Sequence, residues 1–145
     1  MKTNKALRQE LIRRAELAKS KAYAPYSQFH VGAALLTDDG TIFEGCNVEN
    51  GSYSLTICAE RNAVFQAVQA GKLKFRSIAI TSDHHGILTP CGACRQVLSE
   101  FAPDIELILA SSEGEYKITT LTKLFPLPAD LKGLARPSLR KKPRP

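Results

Sequence analysis

No uninterrupted apolar run in this sequence approaches the roughly 20 residues that a membrane span requires. The opening "MKTNKALRQELIRR" is polar and periodic rather than an apolar leader, so it reads as no signal peptide and a cytoplasmic location is the expectation. No segment repeats and no second domain is discernible. A single domain over residues 1–131 is expected, long enough for a real hydrophobic core. Cysteine is scarce, with only Cys46, Cys58, Cys91 and Cys94. A cytosolic chain of this size does not need disulfides, and a C-x-x-C pair there more often binds metal or does redox chemistry. Acidic residues are missing altogether from 132–145, "KGLARPSLRKKPRP", which holds six Lys/Arg. Without that tail the chain has 14 basic and 14 acidic residues, so the formal charge of +6 belongs to the tail alone. A neutral body argues against a folded nucleic-acid surface, and a proline-punctuated basic tail is expected to be disordered and solvated.

What is present is a regular alternation. Residues 4–22 carry Leu7, Ile12, Ala15 and Ala18 among Lys, Arg and Glu, the pattern of an amphipathic helix ended by "YAPYS". "HVGAALLT" (30–37) and "TIFEGCNV" (41–48) flank the tight turn "DDG", a predicted hairpin. A helix over about 58–70 stops before Gly71, and "FRSIAITS" (75–82) reads as a buried strand. A second helix starts at "CGACRQVLSEF" (91–101), followed by the apolar strand "IELILAS" (105–111), a short edge strand and a short helix at "TLTKLF". Helices alternating with buried strands after a hairpin imply a three-layer α/β/α sandwich with a mixed sheet.

The cysteines fall where this pattern makes them useful. Cys58 and the pair Cys91/Cys94 each open a predicted helix, and a spacing of three lets Cys91 and Cys94 face a common point. Three thiolates with a fourth position open is the arrangement of a catalytic zinc, whereas a structural zinc takes four protein ligands. Two helix N-termini converging on these sulfurs would favour their ionised forms. Cys46 could complete a four-cysteine structural site, but its place in a strand matches no zinc-ribbon spacing, and it reads better as a free, part-buried thiol. Glu60 stands two residues beyond Cys58, so it does not share that cysteine's face. It can still serve the open position by moving protons. Its neighbours Ala59, Ala63, Val64 and Ala67 make the helix largely buried, where an idle carboxylate would be costly.

"CAER" together with "PCGACRQVL" resembles the cytidine deaminase family, in its short, three-cysteine, homotetrameric branch. "YAPYSQFHVGAALLTDDG" and "GCNVENGSYSLTICAERNA" are similar to that family's earlier motifs in the same order, and "LFPLPADL" echoes its C-terminal one. The resemblance implies a mixed five-stranded sheet and a Zn2+ ion held by Cys58, Cys91 and Cys94. It implies hydrolytic deamination of cytidine and deoxycytidine in pyrimidine salvage, with Glu60 carrying a proton first to N3 and then to the departing ammonia. It also implies main-chain contacts to the base at Ala59 and Cys91, Phe29 packed near the pyrimidine, and Asn47 with Glu49 on the ribose. Gly51 and Tyr53 would approach a neighbouring subunit's ligand, making a homotetramer with shared sites. Arg61 would hydrogen-bond the ligand sulfurs and temper their charge. His84 and His85 are expected to be exposed loop residues.

The C-terminus departs from the pattern. No aromatic follows Phe125, where the family usually has one that stacks on a neighbour's base, and Leu127 is the nearest apolar candidate. Losing such a stack forfeits on the order of 1 kcal/mol of binding. That motivates a second reading, a deaminase of a modified cytosine nucleoside or nucleoside antibiotic. A more distant one, motivated by the tail, is a zinc-stabilised nucleic-acid-binding protein.

Overall fold

The computed structural model describes residues 3–129 and 131, so the predicted tail at 132–145 lies outside the described residues. In chain order the elements are α1 (Lys5–Lys19), β1 (Val31–Thr37), β2 (Ile42–Cys46), a short 3-10 turn (Tyr53–Leu55), α2 (Ala59–Gln69), β3 (Phe75–Ser82), α3 (Gly92–Phe101), β4 (Glu106–Ala110), β5 (Tyr116–Thr120) and α4 (Leu121–Leu124). The strands form one sheet in the order β2-β1-β3-β4-β5. Only β3 and β4 run parallel; the other neighbours are antiparallel. This is the mixed five-stranded sheet that the sequence reading expected.

β1 shows why the layers number three. Ala33 and Leu35 point into a core built with Ala59, Ala63, Val64 and Leu98, and so lie under α2 and α3. Ala34 and Leu36 point the other way, onto Leu11 and Ala15 of α1. A strand buried on both faces reads as a continuous apolar run rather than an alternation, which is how "GAALL" looks. Asn4 caps α1 by accepting from the Leu7 amide at 2.9 Å. Gly71, with φ +76°, stops α2 in the left-handed conformation that glycine adopts without strain.

Two glycines set how closely the helices approach the sheet. A Cβ on Gly45 would lie 2.2 Å from the Ala59 carbonyl oxygen and 2.5 Å from the Ala63 nitrogen, both main chain of α2. A Cβ on Gly32 would meet the Ala15 carbonyl of α1 at 2.0 Å. Each helix therefore rests directly on bare backbone, on opposite faces of adjoining strands.

Element ends differ from the expected ones for local reasons. β2 stops at Cys46 rather than at residue 48, because the Asn47 side chain takes over the pairing, as described below. Val48 instead exchanges main-chain hydrogen bonds with Ile57 at 3.0 Å each way. Cys58 and Cys91 stand one residue before their helices, as N-caps with extended backbone, instead of inside the first turn.

At the end of the sheet that begins β4, Glu106 is 7% exposed and accepts from Arg8 Nη2 at 2.9 Å and from the Thr3 hydroxyl. Burial alone would raise its pKa, but the bonds from Arg8 and Thr3 outweigh that and hold the carboxyl below its ordinary range. A depressed carboxylate contributes stability above its unfolded pKa and loses it as pH falls through the folded one. Arg8→Ala leaves that charge buried and unpaired, so it is expected to cost about 3 kcal/mol at pH 7. The deficit should shrink toward pH 4 as Glu106 protonates, which urea unfolding at the two pH values measures.

Candidate metal centre and active site

Where the loops after β2 and β3 deliver the chain to α2 and α3, three sulfurs meet. Cys58, Cys91 and Cys94 place their Sγ atoms within 4.8 Å of one another, with Cys58 and Cys91 3.8 Å apart. Neither capping cysteine spends its side chain on its own helix, which leaves both thiols to face the common point. Cys94 adds its sulfur from the first turn of α3 and is fully buried, while Cys91 is exposed. Sulfurs bound to one tetrahedral zinc at about 2.3 Å would stand about 3.8 Å apart, so the spacing fits that ion. Cys46 is not of this group; its thiol lies 3.5 Å from the Lys21 carbonyl oxygen, and burial pushes its pKa up.

The protonation balance also fits a cation. The Cys58 thiol is lowered to about 5, first by its hydrogen bond with Cys94 and, against burial, by Arg61. Cys94 is pushed up, first by that same shared hydrogen bond and then by burial and the Glu60 charge. A divalent cation at the common point would offset the charge that thiolates gathered this closely would otherwise oppose. Arg61 donates from Nη2 to Cys58 Sγ at 3.3 Å, while its buried Nε has no acceptor among the described residues.

Glu60 follows on the first turn of α2, only 5% exposed. Burial is the main reason its pKa rises to about 7, and the neighbouring Cys58 thiolate adds to the rise. A buried carboxyl at the edge of the sulfur cluster is placed to take up and release protons there.

Residues 5–110 match the family model described as the cytidine and deoxycytidylate deaminase zinc-binding region. The chain belongs to this family. A cytidine deaminase of Sporosarcina psychrophila is 48% identical over 119 residues, covering 81% of this chain and 88% of that protein. The solved structure of cytidine deaminase from Burkholderia pseudomallei matches with a TM-score of 0.81 at 48% identity, across 83% of this chain and 98% of that one. A more distant relative, blasticidin-S deaminase of Bacillus cereus, is 32% identical over 137 residues, with 88% and 96% covered.

Within this family's framework the remaining expected residues fall into three groups. Asn47 is 8% exposed and straps the entry to β1, donating from Nδ2 to the Phe29 carbonyl and accepting at Oδ1 from the Val31 amide, each at 2.8 Å. Glu49 receives the Tyr26 amide at 2.9 Å, the Ser27 amide at 3.2 Å and the Ser27 hydroxyl. Each therefore has structural work besides any contact with sugar. Tyr53, 75% exposed, packs edge-on against Tyr26 with ring centroids 5.8 Å apart. Those two rings line a cavity of about 350 Å³ together with Ser27, Glu49 and Thr56. Gly51 sits beside them, where a Cβ would come within 3.0 Å of the Tyr26 hydroxyl. Phe29 is exposed, Ala59 is fully buried, and His84 and His85 are exposed loop residues. Leu127 is 89% exposed, on a segment pinned by the Gln96 amide, which bonds both the carbonyl and the N–H of Ala129.

Sequence reasoning passed over Arg95. It follows Cys94 and donates to the Pro90 carbonyl at 2.8 Å, the Thr89 hydroxyl at 3.1 Å and the Leu124 carbonyl at 2.8 Å. One guanidinium thus ties the loop that carries Cys91 to the end of α4. No local signal distinguishes this arginine, since its acceptors are two carbonyls and one hydroxyl brought near by the fold.

Proposed function

We propose that this protein hydrolyses cytidine and deoxycytidine to uridine and deoxyuridine with release of ammonia. The observation that carries the reading is a buried carboxyl, Glu60, set at the margin of a three-sulfur cluster in a chain of the deaminase family. Cys58, Cys91 and Cys94 would hold the zinc, whose Lewis acidity would make water a nucleophile available at neutral pH. Glu60 takes a proton from the attacking water, delivers it to N3 of the base, and serves the departing amino group in turn. N3 protonation matters because a neutral pyrimidine is a poor electrophile at C4. Arg61 offsets part of the charge of three thiolates, keeping the site able to ionise water.

Phe29 would flank the pyrimidine, and Asn47 with Glu49 would engage the ribose, each through capacity left after its internal bonds. Gly51 and Tyr53 are proposed to face a neighbouring subunit's ligand in a homotetramer. Supporting an assembly, Tyr53, Leu55, Tyr26 and Phe65 all present much of their apolar surface to solvent in the single chain. Residues 1–131 would be the catalytic domain of a cytoplasmic enzyme of pyrimidine salvage.

Absorbance at the cytidine band follows the reaction. Activity should vanish after chelation and return with Zn2+, with uridine as the product. Negligible turnover of cytidine by zinc-replete protein would overturn the reading. The lack of an aromatic after Phe125, with exposed Leu127 the nearest apolar side chain, favours one second reading, a modified cytosine nucleoside or nucleoside antibiotic as the preferred substrate. A substrate panel run alongside cytidine separates the two.

A further inference from the structure

Among the described residues Gln28 is the one non-glycine with a positive φ, +55°. Side chains with a Cβ rarely take that conformation, and it persists only where the surroundings over-determine it. The surroundings here are specific. The Gln28 amide bonds the Ala24 carbonyl at 2.9 Å, and the Phe29 amide bonds the Ser27 hydroxyl at 3.0 Å. On the far side stands Asp83, one residue past the Val31–Ser82 pair that ends the β1–β3 ladder. One carboxylate oxygen, Oδ2, accepts from the His30 main-chain N–H at 2.9 Å and lies 2.7 Å from ring Nδ1. The Asp83 amide returns a bond to the His30 carbonyl at 3.1 Å. Lys19 stands 3.9 Å from the other oxygen. Phe29, whose carbonyl Asn47 also holds at 2.8 Å, therefore lies between a strained residue and a three-bond clasp.

We propose that Asp83 is a positioning residue for substrate: by gripping His30 through main chain and ring together, it keeps Gln28 in the left-handed conformation and Phe29 aimed at the incoming base. The inference rests on the reading of Phe29 as the residue that flanks the pyrimidine. Without the clasp, Gln28 relaxes to negative φ and Phe29 swings from its place. Binding then has to restore that geometry before any chemistry begins. Such a loss falls on substrate and transition state alike, so KM rises while kcat holds.

Steady-state kinetics on cytidine test this with the zinc-loaded protein and four variants. Asp83→Ala is expected to raise KM about five- to tenfold with kcat within about twofold, the scale set by a left-handed residue losing its support. Adding Gln28→Gly should bring KM back to within about twofold of wild type, because glycine takes positive φ without strain. A merely structural role for Asp83 gives no reason for that rescue. Asp83→Asn, which keeps an acceptor for the His30 amide, should fall between and serves if the alanine variant does not fold. Phe29→Ala separates the two readings. If it leaves KM unchanged, Phe29 does not flank the base and the proposal falls with that reading. If Phe29→Ala raises KM but neither Asp83 variant does, the clasp alone is refuted. A raised KM in Asp83→Ala that Gln28→Gly fails to lower also overturns it.

Discussion

Replacing Glu60 by glutamine is expected to lower kcat by about a thousandfold or more while zinc content stays at the wild-type level. The amide keeps the size and the buried position of the side chain, 5% exposed at the first turn of α2, but it can neither take nor give the proton. The same change should help the fold of the zinc-free protein. Glu60 has a folded pKa of about 7 against an ordinary value of 4.5, raised chiefly by burial. A carboxyl raised on folding erodes stability as pH climbs from the unfolded pKa to the folded one, and the loss is complete above the latter. Zinc-free Glu60→Gln should therefore match wild type near pH 4.5 and exceed it by about 2–3 kcal/mol at pH 8. Urea unfolding of chelator-treated protein at both pH values reads this directly. A variant that kept zinc and full turnover would end the proton-shuttle role, and equal stabilities at pH 8 would end the account of why Glu60 titrates high.

The second large effect is expected far from any reacting atom. Gly45→Ala would place a methyl 2.2 Å from the Ala59 carbonyl and 2.5 Å from the Ala63 nitrogen. Neither is the end of a flexible side chain that could turn aside, so α2 as a whole has to move off the sheet. Overpacking commonly costs 1–3 kcal/mol, and a clash with helix backbone belongs at or above the top of that range, about 3 kcal/mol. For a chain of this length the melting temperature should fall by roughly 10 °C. Because α2 carries Cys58 and Glu60 while the other two sulfurs stay with α3, the variant should also release zinc to a chelator that wild type resists. A protein that lost stability but retained zinc as firmly as wild type would show that α2 shifts without opening the cluster.

Much of this architecture was legible in the residues, and the reason differs from part to part. Periodicity exposed α1, and a turn flanked by apolar runs exposed the β1–β2 hairpin, since those signals are local. The three sulfurs were legible because ligand spacing and helix starts are also local, and the fold had only to bring two helix N-termini together. Glu60 was legible through its apolar neighbours. What did not show were features made by distant segments. The early end of β2 depends on Asn47 turning its amide onto Phe29 and Val31, sixteen or more residues away. The closeness of Gly45 to α2 needs the helix in place before the missing side chain acquires meaning. Asp83 looked like one more polar residue in the loop after β3, and its hold on His30 spans 53 positions. The dual duty of Asn47 and Glu49 was likewise hidden, since a motif names a residue without saying how much of its bonding the fold already takes up.

The bonds of Arg95 carry a consequence for how the chain comes into being. All three cysteines precede that arginine, as do β1, β2, α2 and β3. Yet one acceptor for its guanidinium is the carbonyl of Leu124, beyond two further strands. A ribosome that has delivered every sulfur has still to deliver the peptide that braces the loop holding Cys91. Until that stretch emerges, the three sulfurs stand without the brace on the loop that holds Cys91.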